Sequence, residues 1–416
     1  MSDEERTRWF EDARFGMFMH WGLYTLLGRN EWAFNMEWYT VDEYAELLDD
    51  FNPTEYDPRR WAEVARLGGM KYMVLTSRHH DGFCLFDSDV SDFTAAEAAI
   101  GRDLFAEYAE ACREAGLKVG VYYSLVDWRF KGAWDAQKYP ESAKAMVQQA
   151  HDQVREILSN YGNIDLLWYD GGSSPEGIST AEFWRSEELN AMARELQPHL
   201  IINNRSGLPE DFGTPERKIE PVKDRMWESC MTIDPLSWSH VPFSPARQTI
   251  GQIVHDLVSC AAGGGNLLLN TGPRPDGTLH PPEAEKILAA GRWLKRHSEA
   301  IYGSRPSNLN DARFGPAGPI GTWVGSDDPT VHYHATRGWC GSEYYMPRLE
   351  GEIESVSCLT TGKDVEFERG KYGRVTLKNL LNVPPDPYSV IFRFDFSEEP
   401  DVMDMPPKAQ FIESKM

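Results

Sequence analysis

From about residue 14 to about residue 300, short apolar runs alternate with longer stretches in which apolar residues recur every three or four positions. The first kind predicts buried β-strands and the second amphipathic helices packed over them, the signature of a parallel α/β architecture. Candidate strands are RFGMFMHWG, KYMVLTSRHH, KVGVYYSLVDW, IDLLWYDG, HLIINNR, RMWESC and NLLLNTG. Between them lie helical patterns such as WAEVARLGG, RDLFAEYAEACREAG, a long stretch from Ala143 to Tyr161, and TAEFWRSEELNAMARELQP. Gly116 and Gly162 stand where helix C-caps often do. Seven or eight such units predict a closed (β/α)8 barrel, like a TIM barrel, more than an open sheet. After SEAIYGSRPSN the helical period stops, and GTWVGSD, TVHYHATR, IESVSCLT, RVTLKNL and SVIFRFDF follow with the alternation and turn spacing of a β-sandwich. The expected organisation is a barrel over residues 1–304, a small β-sandwich over 305–400 and a tail over 401–416.

Composition narrows the partners. Lysine plus arginine number 42 against 65 aspartate plus glutamate, a net charge of −23 with no basic block, which argues against nucleic acid and anionic membranes. The substrate is expected to be neutral. Six cysteines are scattered without a C-x-x-C pair and read as buried thiols. The N-terminus has no apolar signal-like core and no stretch reaches the roughly 18 apolar residues of a membrane span, so the chain as given reads as soluble and cytoplasmic. A homo-oligomer is compatible with this composition.

In a barrel of this type the chemistry comes from the C-terminal ends of the strands. Those ends carry His20 with Trp21, His79 and His80 with Asp81, Tyr123 and Ser124, Asp170, Asn203 with Arg205, Glu228, and Asn270. Asp170 before two glycines is by itself an ordinary turn residue. Seven polar ends in series instead predict a shared pocket whose histidines, tyrosine, asparagine, arginine and tryptophans suit a ring of hydroxyl groups. Cleaving a glycosidic bond needs one carboxylate below the ring and an acid at the leaving oxygen. Asp170 is a candidate for the first. A metal site is the competing reading of the histidines, but no H-x-H or H-E-x-x-H occurs within residues 1–304, and no metal is expected. GGGN at 263–266 precedes a strand and does not open a helix, and no nucleotide-binding motif is present, so no cofactor is expected.

FGMFMHWGLYT, NMEWY, the HHDGF segment, VYYSLVDW, LLWYDGG, INNR, WESCMT and GGGNLLLNTGPRPDGT together resemble the α-L-fucosidases of glycoside hydrolase family 29, in family order over about residues 8–305. The resemblance implies a catalytic barrel followed by a β-sandwich, and an exo-acting hydrolysis of terminal α-L-fucose from fucosylated oligosaccharides or glycoconjugates with retention of configuration. It implies that Asp170 is the nucleophile, and that His20, Glu37, Trp38, His79, His80, Tyr123 and Arg205 hold the sugar, with Trp238 a looser match beside its methyl side. In the larger subgroup of the family the acid/base lies in a T-P-E segment beyond the arginine, and the resemblance therefore implies Glu216; Glu228, on a rigid strand, and Glu220 are the alternatives. Thr25, Arg78 and Asn204 depart from the family pattern, and Asn204 bears on how Arg205 is held. Two rivals stay open at this point: a related sugar such as α-L-galactose, and a catalytically silent fucose-binding protein.

Overall fold

The computed structural model describes residues 2–171, 181–222, 225–310, 321–371 and 373–401; the expected tail lies outside these residues from 402 on. The chain resolves into two compact units, one of residues up to Ile253 together with Gly265–Arg292, the other of Val254–Gly264 together with the residues from Trp293 onward.

The first unit is built on eight parallel strands: β1 (Phe15–Met19), β2 (Tyr72–Arg78), β3 (Lys118–Ser124), β4 (Leu166–Asp170), β5 (Ile201–Ile202), β6 (Phe212–Gly213), β7 (Met226–Thr232) and β8 (Asn266–Thr271). Their order is β5-β4-β3-β2-β1-β8-β7-β6, and the ring closes between β5 and β6 through a single bridge, Asn203 with Phe212. This is a (β/α)8-like barrel. Asp211 reinforces the closure, because its amide donates to Ile202 O at 3.0 Å while its carboxylate accepts from the Ile202 amide at 2.8 Å and pairs with Arg6 and Arg194. Among the described residues no helix separates β5 from β6 or β6 from β7 in sequence except a short 3-10 turn at Asn204–Ser206. β6, only two residues long, leaves no periodic trace in the sequence.

Alternation decides what fills the barrel. Gly16 and Phe18 of β1, Tyr72 and Val74 of β2, Tyr122 of β3, and Leu166 and Trp168 of β4 point inward, so the interior is largely aromatic. The Phe18 ring lies 5.1 Å from Trp168, and Tyr122 stacks on Trp168 at 5.6 Å. Gly16 has no substitute, since a Cβ there would stand 2.3 Å from the Tyr72 ring. The helix Asp3–Ala13, started by a capping box between Ser2 and Glu5, sends Phe10 against Tyr72 and Phe212 at the N-terminal end of the barrel.

The second unit contains two antiparallel sheets. The larger has the order β14-β13-β17-β11-β10-β9, from β9 (Arg305–Pro306), β10 (Gly321–Gly325), β11 (Val331–Thr336), β13 (Ile353–Cys358), β14 (Lys363–Asp364) and β17 (Ile391–Phe396). The smaller has the order β12-β16-β15, from β12 (Tyr344–Arg348), β15 (Phe367–Arg369) and β16 (Arg374–Leu377). Trp323, Val356, Phe392 and Phe394 from the first pack with Tyr344, Val375 and Leu377 from the second, which makes a β-sandwich. All six cysteines are free, and Cys340, expected to be buried, is exposed on this unit. No helix among the described residues is long and apolar enough to cross a membrane.

Candidate active site

A cavity of about 210 Å³ opens at the C-terminal ends of the barrel strands. It is smaller than the roughly 300–1,000 Å³ of drug-sized pockets and suits one sugar ring. Phe18, Trp168 and Trp238 give it an apolar floor and wall, and His20, His79, His80, Tyr122, Asp170, Arg205 and Glu216 its polar groups.

Asp170 is the last residue of β4 and continues the inward parity of Leu166 and Trp168. The chain then turns through Gly171 at φ 71°, where a Cβ would stand 2.6 Å from Val126 and 2.9 Å from Ser124 Oγ. Burial pushes the Asp170 carboxyl up, but the Arg205 guanidinium, His80 and the Gly171 N–H outweigh it and bring the group down to about 2. Asp170 is therefore an anion at neutral pH. Arg205 Nη1 donates to Oδ1 at 2.9 Å, and the Tyr122 hydroxyl donates to Oδ2 at 2.9 Å.

Arg205 also donates through Nη2 to Glu216 at 2.8 Å, so one guanidinium joins both carboxylates. Its carbon lies 4.5 Å from the Trp168 ring centre. Nε donates to Thr214 Oγ1 at 2.9 Å, and that hydroxyl donates to Asn204 Oδ1 at 3.1 Å. The departure at Asn204 thus reaches Arg205 through Thr214. Glu216 does not sit on a free loop: it bridges Cys230 of β7, with the Arg217 amide on Cys230 O at 2.9 Å and the Cys230 amide on Pro215 O at 3.1 Å. Its side chain stays 42% exposed, facing the cavity.

Three neutral histidines complete the polar wall. Burial lowers His20 to about 3, takes His79 well below its ordinary value and lowers His80 as well, the last opposed by Asp170. The amide of Asn270 donates to Thr232 Oγ1 and Trp238 O, so its oxygen accepts from His20 Nδ1 at 2.8 Å and leaves His20 Nε2 as an acceptor. Likewise the Ser124 hydroxyl donates to Val126 O, and His80 Nδ1 donates to Ser124 at 2.7 Å. Adjacent histidines on an extended strand would face opposite ways; a register shift at Thr76/Arg78 and a turn closed by Gly82 N on His79 O put both in the cavity, rings 4.1 Å apart.

Five of the expected or alternative residues lie outside the cavity lining. Tyr123 does not line the cavity: alternation turns it outward, where its hydroxyl meets Arg78 and donates to Gln153 at 2.8 Å, and Tyr122 takes the place foreseen for it. Glu37 and Trp38 do not line it either, since Glu37 pairs with Arg29 and Trp38 is 88% exposed. The chain carries a second Glu-Trp pair six residues earlier, and there Trp32 lines the cavity while Glu31 accepts from Ser237 and from the amides of Trp238 and Ser239. Glu228 is wholly buried below the cavity, and Glu220 pairs with Lys218 at the surface. His20, His79, His80, Asp170, Arg205, Glu216 and Trp238 are brought together. Strand parity would have found Tyr122, and the nearness of Glu31-Trp32 to His20 in sequence would have favoured that pair.

Comparison with known proteins places these features in a family. A family model for alpha-L-fucosidase matches residues 1–299. Tissue alpha-L-fucosidase of Bos taurus is 30% identical, with 91% of this chain and 85% of that protein covered. The structure of alpha-L-fucosidase isoenzyme 1 from Paenibacillus thiaminolyticus is similar at a TM-score of 0.86 and 32% identity, covering 96% of this chain and 100% of that one. A family 29 alpha-L-fucosidase from Bacteroides thetaiotaomicron, a trapped covalent intermediate in complex with 2-fluoro-fucosyl fluoride, is similar at a TM-score of 0.84 and 24% identity, covering 95% of this chain and 96% of that one.

Proposed function

The chain belongs to the alpha-L-fucosidase family, and from that footing we propose that Asp170 is the nucleophile and Glu216 the acid/base of a double displacement on terminal α-L-fucosides. The observation that carries this reading is the single guanidinium shared by the two carboxylates. It fits the close spacing, about 5–5.5 Å, that a retaining glycosidase needs. The covalent intermediate reported for the Bacteroides relative supports the same course.

In the first step an Asp170 oxygen attacks the anomeric carbon while Glu216, on the open side of the cavity, gives its proton to the leaving oxygen. In the second, Glu216 takes a proton from water and the glycosyl ester is hydrolysed. The histidines hold hydroxyls. His20 Nε2 and His80 Nε2 each offer a lone pair to a sugar O–H. Trp168 and Trp238 supply surface for the ring's apolar face.

Asp170→Asn keeps the shape but cannot form the ester, so fucose binding should persist while turnover falls by roughly a thousandfold or more. Glu216→Ala should cripple fucosides with poor leaving groups far more than an activated aryl fucoside. With the latter, azide should restore rate and yield a fucosyl azide of retained configuration, read by NMR. Near-normal hydrolysis by Asp170→Asn, or wild-type behaviour of Glu216→Ala, refutes the respective role.

A further inference from the structure

Glu228 has no part in the chemistry just described, yet its carboxyl is completely buried in the centre of the barrel. It lies on the inward side of β7, one layer below Cys230, which reaches the cavity. An apolar side chain of similar volume would fill this space without the cost of desolvating a carboxyl. Its partners are neutral: the Tyr72 hydroxyl donates to Oε2, and the Trp168 indole N–H donates to Oε1 at 3.0 Å.

Trp168 is the link to the site. Tyr122 stacks on its indole with 18° between the planes, and the Arg205 guanidinium rests 4.5 Å from its centre. Those two residues are the side chains that donate to Asp170, one to each oxygen. A ring free to tilt about its bond to the backbone would carry both donors off their oxygens, and the indole N–H fastened to a strand opposite removes that freedom.

We propose that Glu228 is a positioning residue which, by fixing the Trp168 indole from below, sets the surface on which Arg205 and Tyr122 rest and so aligns their hydrogen bonds to Asp170. The inference rests on Asp170 being the nucleophile. Glu228 acts through Trp168 and touches neither substrate nor reacting atoms.

The test compares Glu228→Met, which removes the acceptor, Glu228→Gln, which keeps an oxygen for the indole, Trp168→Phe, which keeps a ring without the N–H, and Asp170→Asn. With an aryl α-L-fucoside, Glu228→Met should lower kcat by about ten- to a hundredfold with KM changed less than about threefold, and Trp168→Phe, which also trims the ring beneath the sugar, should lower kcat as far while KM rises. The acid limb of kcat/KM should rise by about one pH unit, because Asp170 loses aligned donors. The groups facing Asp170 in that limb are Arg205, His80 and Tyr122, with His20, Glu216 and Cys230 on the same wall. The double variant should be no worse than the poorer single one, since both break one bond, and Glu228→Gln should stay within about threefold of wild type with its acid limb in place. A Glu228→Met enzyme with unaltered kcat and pH profile and only a lower melting temperature overturns the proposal, as do multiplying effects in the double variant. If Glu228→Met does not fold, Trp168→Phe decides by the same readouts. Asp170→Asn at wild-type turnover overturns the nucleophile and this proposal with it, whereas an inactive Asp170→Asn beside an unaltered Trp168→Phe overturns this proposal alone.

Discussion

Tyr122 and Tyr123 are neighbours in one strand with opposite fates, and exchanging either for phenylalanine separates chemistry from stability. Tyr122→Phe removes a donor from Asp170 and should lower kcat by about tenfold or more with little change in unfolding free energy. Tyr123→Phe deprives buried Arg78 of a partner, and should cost about 1–3 kcal/mol in denaturant unfolding while kinetics stay within about twofold of wild type. Equal kinetic damage from both would refute the assignment of faces. The site's backbone of acids and histidines was legible because each is a polar residue ending an apolar run. Tyr122 is not legible in the sequence because two tyrosines in succession look alike until the inward parity of Trp168 and Asp170 on the next strand is carried across the ladder. Trp32 was masked by a repeated dipeptide, Glu-Trp at 31–32 and again at 37–38.

At the scale of elements, the long strands could be read because burial on both faces leaves unbroken apolar runs in β2, β4 and β8. β5 and β6 hold two residues each and give no period to detect, and the expected strand HLIINNR shrinks to Ile201–Ile202 before Asn203 caps a 3-10 turn. In the sandwich, β12, at the edge of the smaller sheet, is hard to read because a proline interrupts the run YYMPR. The junction after β4 depends on Gly171. Gly171→Ala forces a left-handed conformation on a residue with a Cβ and drives that carbon into Val126 and Ser124, the partner of His80. It should cost about 1–3 kcal/mol of stability and lower kcat together, measured by urea unfolding and aryl fucoside turnover. A variant at wild-type stability and activity would show the turn to be relaxed.

Over the whole molecule, buried titratable groups set opposed pH dependences. His20 and His334, lowered by burial to about 3, stay neutral in the fold but protonate in the unfolded chain below about 6.5, so their contribution is lost as pH falls from there towards 3. Glu228, raised by burial to about 7, binds its proton more tightly folded than unfolded, so stability is lost as pH rises from 4.5 through 7. Two consequences are measurable by denaturant titration. The wild type should lose stability between pH 6.5 and pH 4, and Glu228→Gln should gain on it by up to about 3 kcal/mol between pH 5 and pH 8. A difference between the two proteins that does not change with pH would contradict the carboxyl's burial in neutral form. The closure of the barrel carries a different consequence. Between β5 and β6 one bridge and the bonds of Asp211 stand where other strand pairs have a ladder, and the segment that follows bears Arg205 on one side and Glu216 on the other. Amide hydrogen exchange should therefore find a sub-global opening there, with the Ile202 and Asp211 amides exchanging well before those of β2 or β8. A fucose analogue spanning Asp170 and Arg205 should slow exchange at this seam more than anywhere else in the barrel, so that the ligand itself supplies the missing rungs.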